Sequence, residues 1–402
     1  MRILVLSFYF PPDLSAGSFR IESLVNVLSE KISVDDKVDV ITTHPHRYHS
    51  FLPKALDLEN NGNISIKRIR LPAISNRFLN QIIKFIYFSL NTIRYAKHEK
   101  YDLVFVSSSR LLTAVLGTFI AKRQHAKLVV DIRDIFTQTI DSLYPSILFW
   151  PIKKVLFLLE RYVIVNANKI NLVSQGFVGY FTSKYSGLNI STYPNGIDEL
   201  FVNFNQPNIH KKKLSTQNPL KILYTGNIGD GQALHKIIPA MAEKLQKEVN
   251  FTIIGDGNRR HQLKNEIDRR NITNITILPP MPRRKLVNHI YDTDILFLHL
   301  NNLEVFQYVL PSKIFEYAAT GKPILAGVTG YAESFISQEI DNAQIFPPCN
   351  ISDAISAFRQ LNLETHNSSR FINQFSRKVI MLDFANEILS ILHSPRPKNK
   401  GN

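Results

Sequence analysis

Short apolar runs alternate with segments of helical spacing along most of the chain. In the first half, the apolar runs begin at residues 3, 38, 103, 128 and 169. The second half restarts the pattern, with runs that begin at residues 220, 251, 275, 295 and 323. Apolar strands separated by helices are typical of a parallel sheet that is covered on both faces. The pattern therefore predicts an α/β chain with two such sheets.

A polar, irregular segment separates the two series of strands. It spans residues 203–218 and contains three consecutive lysines at 211–213. We interpret it as a linker between two Rossmann-like domains that face each other across a cleft. The predicted segments are an N-terminal domain over 1–200, a linker over 201–218, a C-terminal domain over 219–370, a final helix over 371–393 and a disordered tail over 394–402.

Composition and charge limit the classes of protein that the chain can belong to. Its 402 residues are 44% hydrophobic and 20% charged, which is typical of a globular protein, and the net charge is +15. Such a charge indicates a negatively charged partner, either nucleic acid or an anionic membrane surface. The single cysteine, Cys349, excludes an intrachain disulfide and a cysteine-rich metal site. Charged residues interrupt the most apolar stretch, 147–165, so we expect no transmembrane helix.

One segment has the pattern of a helix that lies on a membrane. Residues 77–97 are rich in apolar side chains and include Arg77, Lys84, Arg94 and Lys97, with no acidic residue. An apolar helix with a basic rim can lie in a membrane interface. The same pattern fits a helix that packs on a core and exposes its cations to water. Both interpretations remain open on the sequence alone.

The segment 311–325, PSKIFEYAATGKPIL, has the most informative polar residues of the chain. It follows the apolar run at 295–298 and begins a predicted helix, with Lys313 and Glu316 three residues apart. Residues at this spacing share a helix face, and a helix N-terminus offers free N–H groups to phosphate. Lys313 is therefore a candidate to contact a diphosphate, and Glu316 to accept hydrogen bonds from sugar hydroxyls. An ordinary exposed ion pair is the alternative.

Polar or glycine-rich loops follow several of the other strands, where ligands bind in sheets of this kind. In the first half, Gly17 lies in a small-residue turn before a helix, and Asp131-Ile132-Arg133-Asp134 follows the run at 128–130. Packing three ionisable groups at a strand end is costly without a function. In the second half, the loop 224–232 contains three glycines and resembles a phosphate cradle, and Gly255-Asp256-Gly257 forms a second turn.

Taken in order along the chain, these segments resemble family 4 glycosyltransferases of the GT-B fold. The likeness is strongest to the bacterial branch that builds surface polysaccharides such as O-antigen and capsule. In that family, the residue matching Glu316 binds the ribose hydroxyls of the donor nucleotide, and the helix N-terminus at Ser312 faces the diphosphate. The commoner family pattern has a second Glu eight residues before, where this chain has Tyr308. The nearest upstream acid is Glu304.

The resemblance also suggests roles for the loop residues. The surface-polysaccharide branch often has Arg-Asp at the position of Arg133 and Asp134. Arginine stays protonated and cannot act as a base, so Arg133 is expected to bind phosphate, while Asp134 orients it or meets the acceptor hydroxyl. The candidate catalytic residues are Lys313, Arg133 and Asp134. The candidate donor-binding residues are Gly17, Gly226, Asn227, Gly255, Ser312, Lys313 and Glu316.

The resemblance implies a retaining transfer of a sugar from a nucleotide donor, UDP-linked, to a polyprenyl-phosphate-linked acceptor. It further implies an N-acetylated or deoxy-N-acetylated hexosamine as that sugar, no metal or other cofactor, peripheral association with the inner membrane from the cytoplasm, and a final helix that returns to the first domain. Two alternatives remain. A nucleotide-sugar 2-epimerase would use Asp131 and Asp134 as acid and base. A nucleic-acid-binding protein would explain the charge, but no basic stripe with stacking aromatics is found, so no nucleic-acid partner is expected.

Overall fold

The computed structural model describes residues 1–48, 50–72, 77–138, 150–202 and 219–393. The described residues divide into two compact units, the first within 1–47, 53–194 and 378–402, and the second within 48–52 and 195–377. Each unit is an α/β sandwich, around a mainly parallel sheet in the first unit and a parallel sheet in the second, so the fold class predicted from the alternating apolar runs is confirmed. The segment 203–218, predicted to be a linker, and the predicted tail 394–402 lie outside the described residues.

The first unit is built on a sheet of eight strands within the described residues. They are β1 (Arg2–Ser7), β2 (Lys37–Thr43), β3 (Leu58–Asn61), β4 (Ile64–Ile69), β5 (Leu103–Ser108), β6 (Lys127–Ile132), β7 (Lys169–Leu172) and β8 (Ile190–Ser191). Their order is β3-β4-β2-β1-β5-β6-β7-β8, with β3 antiparallel to β4 and the other neighbours parallel. The helices are α1 (Ala16–Lys31), α2 (Arg77–Ala96), α3 (Leu111–Gln124), α4 (Trp150–Asn166) and α5 (Val178–Lys184).

The second unit has a parallel sheet of six strands within the described residues. They are β9 (Leu220–Asn227), β10 (Val249–Asp256), β11 (Ile275–Leu278), β12 (Ile295–His299), β13 (Ile324–Gly327) and β14 (Ala343–Phe346). Their order is β11-β10-β9-β12-β13-β14. The helices are α6 (Glu199–Val202), α7 (Leu234–Lys244), α8 (Arg260–Arg269), α9 (Arg283–Tyr291), α10 (Lys313–Ala319), α11 (Tyr331–Glu339), α12 (Ile351–Gln360) and α13 (Ser369–Phe375).

The C-terminal part of the chain, predicted as one helix, forms two. In α13, Phe371 and Ile372 are buried in the core of the second unit. The last helix, α14 (Arg377–His393), packs Met381, Phe384 and Ile388 against the core of the first unit. The helices are separate because the backbone at residue 376 pairs with Ile197, which donates to the Phe375 carbonyl and accepts from Arg377. The Phe375 carbonyl and the Arg377 N–H are therefore not available for hydrogen bonds within a continuous helix.

Three helices of the first unit form one layer, which we call the outer helix layer: α2, α3 and α4. They connect β4 to β5, β5 to β6 and β6 to β7, and all three connections cross the sheet in the same direction. Because such crossovers are right-handed, the three helices lie on the same face of the sheet. Helix α3 contacts both of the others. Large apolar side chains are exposed on this layer, namely Ile82, Ile83, Ile86, Tyr87, Leu90, Leu112, Phe119, Trp150, Ile152, Val155, Phe157, Leu158 and Val165.

Helix α2, which covers most of the segment 77–97, has both buried and exposed apolar side chains. Phe88 of α2 is fully buried, as a core-packing helix requires, while Leu90 is 63% exposed and Ile86 is 51% exposed. Among the described helices, none combines the length and the apolar composition that crossing a bilayer requires.

Candidate functional site

In the second unit, the glycine-rich loop and the helix carrying Lys313 meet at a single point. Gly226 lies near the end of β9 with φ of +124°, a conformation that favours glycine. A Cβ atom at this position would lie 2.5 Å from Cε of Lys313 and would overlap its ammonium group. The Lys313 ammonium also lies 5.0 Å from the ring centre of Tyr224. A cation is thus held against the backbone at the carboxyl end of a parallel strand, where a diphosphate can bind.

A residue one helical turn after Lys313 anchors helix α10 to the strand before the glycine-rich loop. Tyr317 lies four residues on, on the same face of α10, and is fully buried. Its hydroxyl oxygen accepts a hydrogen bond of 3.1 Å from the backbone N–H of Thr225, and the Thr225 hydroxyl lies at the same distance. Because Thr225 immediately precedes Gly226, this anchor sets the distance between the lysine and the loop.

The neighbouring candidates Gly255, Asn227 and Ser312 shape the same region. A Cβ at Gly255 would overlap the carbonyl oxygen of Gly226, since these residues pair in register across β9 and β10. The side-chain amide of Asn227 donates to Gln232 at 2.8 Å and closes the glycine-rich loop. Ser312 precedes α10 without a capping hydrogen bond from its side chain to the helix. In this structure, Gly255 and Asn227 therefore contribute to the shape of the loop.

Glu316, the candidate for ribose recognition, belongs to a chain of charged groups. Its carboxylate lies 3.2 Å from Arg283, the first residue of α9, and Arg283 also pairs with Asp198. Arg377 completes the chain with a 2.6 Å contact to Asp198. Burial favours the neutral form of Asp198, but Arg377 and Arg283 outweigh it and hold the pKa of this carboxyl below its usual value. Arg283 thus orients Glu316, and the sequence reading did not identify it.

A second group that the sequence reading missed is His299, at the end of β12. The ring is buried and packs beside the rings of Phe297 and Phe346, with ring centres 6.0 and 5.9 Å away. Its Nδ1 donates to the Gln232 carbonyl at 2.7 Å, and its Nε2 accepts from the backbone N–H of Cys349 at 2.9 Å. Burial lowers the pKa of His299 to about 4, so the ring is neutral at physiological pH. This histidine holds the far end of the glycine-rich loop in place.

In the first unit, the candidates Gly17 and Arg133 lie in contact. A Cβ at Gly17 would lie 3.3 Å from Nε of Arg133, closer than most side chains approach. The Arg133 side chain is only 11% exposed and lies 3.8 Å from Asp131. Burial lowers the pKa of the Arg133 guanidinium, and Asp131 and Asp134 oppose that shift. The absence of a side chain at Gly17 therefore leaves room for a guanidinium at the carboxyl edge of the first sheet.

Asp131 is committed to a buried network with Arg20 of α1. Both side chains have no exposed surface, and two hydrogen bonds join them, from Nε at 3.2 Å and from Nη2 at 3.1 Å. Asn171 of β7 donates a further bond of 2.6 Å to the same carboxylate. Arg20 also donates to the carbonyl of Tyr193 at 2.9 Å. Because this carboxylate has no exposed surface, a substrate cannot reach it.

Asp134 differs from Asp131 because its side chain remains exposed to solvent. The protein packed around the carboxyl raises its pKa to about 6, while Arg133 and Arg47 oppose the shift. A group with this pKa changes its charge within the range in which enzymes work. Within the described residues, no three His, Cys, Asp or Glu side chains come together as a metal site.

Comparison with known proteins agrees with this architecture. Residues 205–378 match the model of the family described as glycosyl transferases group 1. This stretch contains all the second-unit candidates from Gly226 to Glu316. No curated protein sequence matches the chain.

Solved structures match nearly the whole chain at low identity. HepE of Anabaena in complex with UDP and glucose is 17% identical, with 97% of this chain and 99% of that chain covered and a TM-score of 0.67. An E. coli structure described as trehalose-6-phosphate bound with UDP-2-fluoro glucose is 14% identical, with 99% and 100% covered and a TM-score of 0.65. WaaG, a glycosyltransferase involved in lipopolysaccharide biosynthesis, is 13% identical, with 98% and 96% covered and a TM-score of 0.63. The chain therefore has the GT-B fold, as its sequence predicted.

Proposed function

We propose that this protein is a retaining glycosyltransferase. In this proposal it moves a sugar from a nucleotide-sugar donor, UDP-linked, to a polyprenyl-phosphate-linked glycan during assembly of a bacterial surface polysaccharide such as O-antigen, capsule or exopolysaccharide. The observation that carries the proposal is the Lys313 ammonium held against the backbone of Gly226. A fixed cation beside a strand-end loop stabilises the charge that develops on a departing diphosphate.

The donor half of the proposal rests on the second unit. Glu316, oriented by Arg283, would accept hydrogen bonds from the ribose hydroxyls, while Lys313 and the loop at Gly226 hold the diphosphate. Ser312 and Gly255 border the same loop and helix. The family match over residues 205–378 supports this assignment. The HepE structures with UDP and with UDP-glucose favour uridine as the donor base.

The acceptor half rests on the first unit. Arg133 would bind a phosphate, either of the donor or of the lipid-linked acceptor, and Asp134 would meet the acceptor hydroxyl. In the reaction, the bond between the anomeric carbon and the diphosphate oxygen breaks, a bond to the acceptor oxygen forms, and the hydroxyl proton passes to the departing diphosphate. An exposed carboxylate with a pKa of about 6 can orient that hydroxyl when it is ionised.

We propose that the leaving group is stabilised by protein groups rather than by a metal ion or another cofactor. Lys313 supplies a full positive charge at the loop, and donors of this kind contribute through preorganisation. The sugar that best suits the resemblance is an N-acetylated or deoxy-N-acetylated hexosamine.

The rival 2-epimerase requires acid and base carboxylates in the first unit. Asp131 is fully buried and accepts hydrogen bonds from Arg20 and Asn171, which leaves Asp134 as the one accessible carboxyl of the proposed pair. The arrangement therefore favours transfer over epimerisation.

We further propose that the protein works at the cytoplasmic surface of the inner membrane, where a polyprenyl-linked acceptor resides. The outer helix layer supports this placement. Its exposed apolar side chains accompany eight Lys and Arg residues in α2, α3 and α4, and the one acidic residue of these helices, Glu160, is 4% exposed. An apolar surface on helices whose exposed charged residues are all basic suits an anionic lipid surface, and a nucleic acid would offer nothing for the apolar side chains.

Turnover of Lys313→Ala tests the proposal. Loss of one charge-stabilising donor should lower turnover about 10²-fold or more, with little effect on thermal unfolding. Release of UDP from UDP-linked sugars in the presence of membranes is the readout. Lys285→Ala, which removes an exposed cation from α9, is the matched control and should retain turnover. Unchanged turnover in Lys313→Ala would remove this lysine from the mechanism.

A further inference from the structure

One cavity of the first unit lies away from the candidate site. It has a volume of about 740 Å³ and is bordered by α4, the loop after α5 and the starts of β6 and β7. Arg133 and Asp134 follow the opposite, carboxyl end of β6. Because the cavity is at the amino edge of the sheet, a ligand there would not occupy the site proposed for glycosyl transfer.

The cavity combines positive charge with an apolar wall. Its charged lining residues are Lys127, Arg161 and Lys184, and no Asp or Glu occurs among the described residues that line it. The wall includes Phe157 and Val165 of α4, which are 38% and 60% exposed. Of the acidic groups nearby, Glu160 accepts from Tyr180 at 3.0 Å and interacts electrostatically with Lys184, and Glu387 pairs with Lys169. Such a lining suits an anion that carries an apolar part.

We propose that this cavity binds the phosphate headgroup of an anionic lipid. Three cations can hold one phosphate by charge-assisted hydrogen bonds. Phe157 and Val165 belong both to the cavity and to the exposed apolar surface of the outer helix layer, so acyl chains can continue along that surface. A volume of 740 Å³ is in the range of small-molecule sites. The continuity with the apolar surface favours a lipid over a free phosphate.

Calorimetric titration of the full chain with short-chain lipids below their micelle concentration tests this site without a bilayer. Dihexanoyl phosphatidylglycerol is the probe, and dihexanoyl phosphatidylcholine and inorganic phosphate are the comparisons. We expect binding of the anionic lipid, weakened at least about tenfold in Arg161→Ala/Lys184→Ala. The matched control, Arg123→Ala/Lys154→Ala, removes two exposed cations of the same layer outside the cavity and should change binding by less than about twofold.

Each other outcome overturns the proposal. Equal binding by the cavity variant and the wild type would place the lipid elsewhere. Inorganic phosphate that binds as tightly as the lipid and displaces it would make free phosphate the ligand. Val165→Asp provides a second test, since a carboxylate on the exposed wall should also abolish lipid binding. None of these changes touches Lys313 or Glu316, so UDP binding should persist in every variant, and its loss would concern the proposed function instead.

Discussion

The ammonium group of Lys313 occupies the space that a side chain at Gly226 would fill. The two residues are 87 positions apart in the sequence. The hydrogen bond from the Thr225 N–H to the Tyr317 hydroxyl keeps the helix with Lys313 next to the loop with Gly226. This contact joins the glycine-rich loop and the helix that the sequence singled out separately. It makes the loop and the lysine one binding element rather than two.

The contact between Lys313 and Gly226 predicts that substitutions of these two residues have non-additive effects on turnover. Gly226→Ala should lower turnover about 10²-fold, because the new Cβ displaces Lys313 from the diphosphate. Once Lys313 is already alanine, Gly226→Ala should add only the smaller loss that comes from backbone strain at its φ of +124°, since the group it displaces is absent. Steady-state rates of the two single variants and the double variant measure this. Gly179→Ala, at a helical position with nothing within 4 Å of the added Cβ, is the control. Fully additive losses would separate the two residues.

Protonation of Asp134 should cause turnover to fall at acidic pH. Its pKa is raised to about 6, so the ionised form proposed to meet the acceptor hydroxyl is lost as the pH falls through that value. Turnover should therefore rise with pH and level off above about pH 7. In Asp134→Asn, the residual turnover should be much lower, and it should no longer fall at acidic pH. A fall at acidic pH that persists in the variant would have to come from another group.

The same pKa shift fixes the sign of the effect on stability. A carboxyl with a pKa raised above its unfolded value favours the folded state while it is protonated, and that advantage is lost as the pH rises through about 6. Asp134→Asn should consequently not lower the unfolding temperature at pH 7. Thermal unfolding at that pH separates a loss of function from a loss of fold.

Trp150 provides a reporter for the outer helix layer. It is the only tryptophan of the chain, begins α4 and is 55% exposed, with Lys154 4.3 Å from its ring centre. Vesicles containing phosphatidylglycerol should shift its emission to shorter wavelength, because the ring moves from water into the lipid interface. Pure phosphatidylcholine vesicles should produce less of a shift. Leu158→Asp, on the same exposed face, should abolish the response, and a wild-type spectrum indifferent to anionic vesicles would argue against membrane docking.

The sheets and the main loops could be predicted from the sequence because local patterns encode them. Apolar runs such as 3–8 and 295–298 correspond to β1 and β12, and Gly226 and Lys313 stand out by residue type. The hairpin of β3 and β4 was not predicted. The four-residue β3 is largely exposed, so its polar residues resemble a loop, whereas β4 is as long as β1 and its alternating isoleucines were a signal of a strand.

The charged partners of the site could not be predicted because they are distant in sequence. Arg283 is 33 residues from Glu316, and Arg20 is 111 residues from Asp131. In the sequence, Arg283 stands in a run of three basic residues and looks like a solvated cation. Only its ion pairs with Asp198 and Glu316 in the folded protein give it a role. The break in the C-terminal helix at Ser376 likewise depends on a partner, Ile197, far along the chain.

The most direct test of donor binding is a thermal-shift titration of the purified protein with UDP, GDP, ADP and dTDP. Selective stabilisation by UDP is expected, of about 2.7 kcal/mol at a ligand concentration of 100 times Kd. The shift should vanish in Glu316→Ala, which loses the carboxylate oriented by Arg283, and persist in Glu304→Ala, which loses an exposed carboxylate nearby. Stabilisation by none of the four nucleotides, or a shift by UDP that survives Glu316→Ala, would contradict the proposed nucleotide-sugar site.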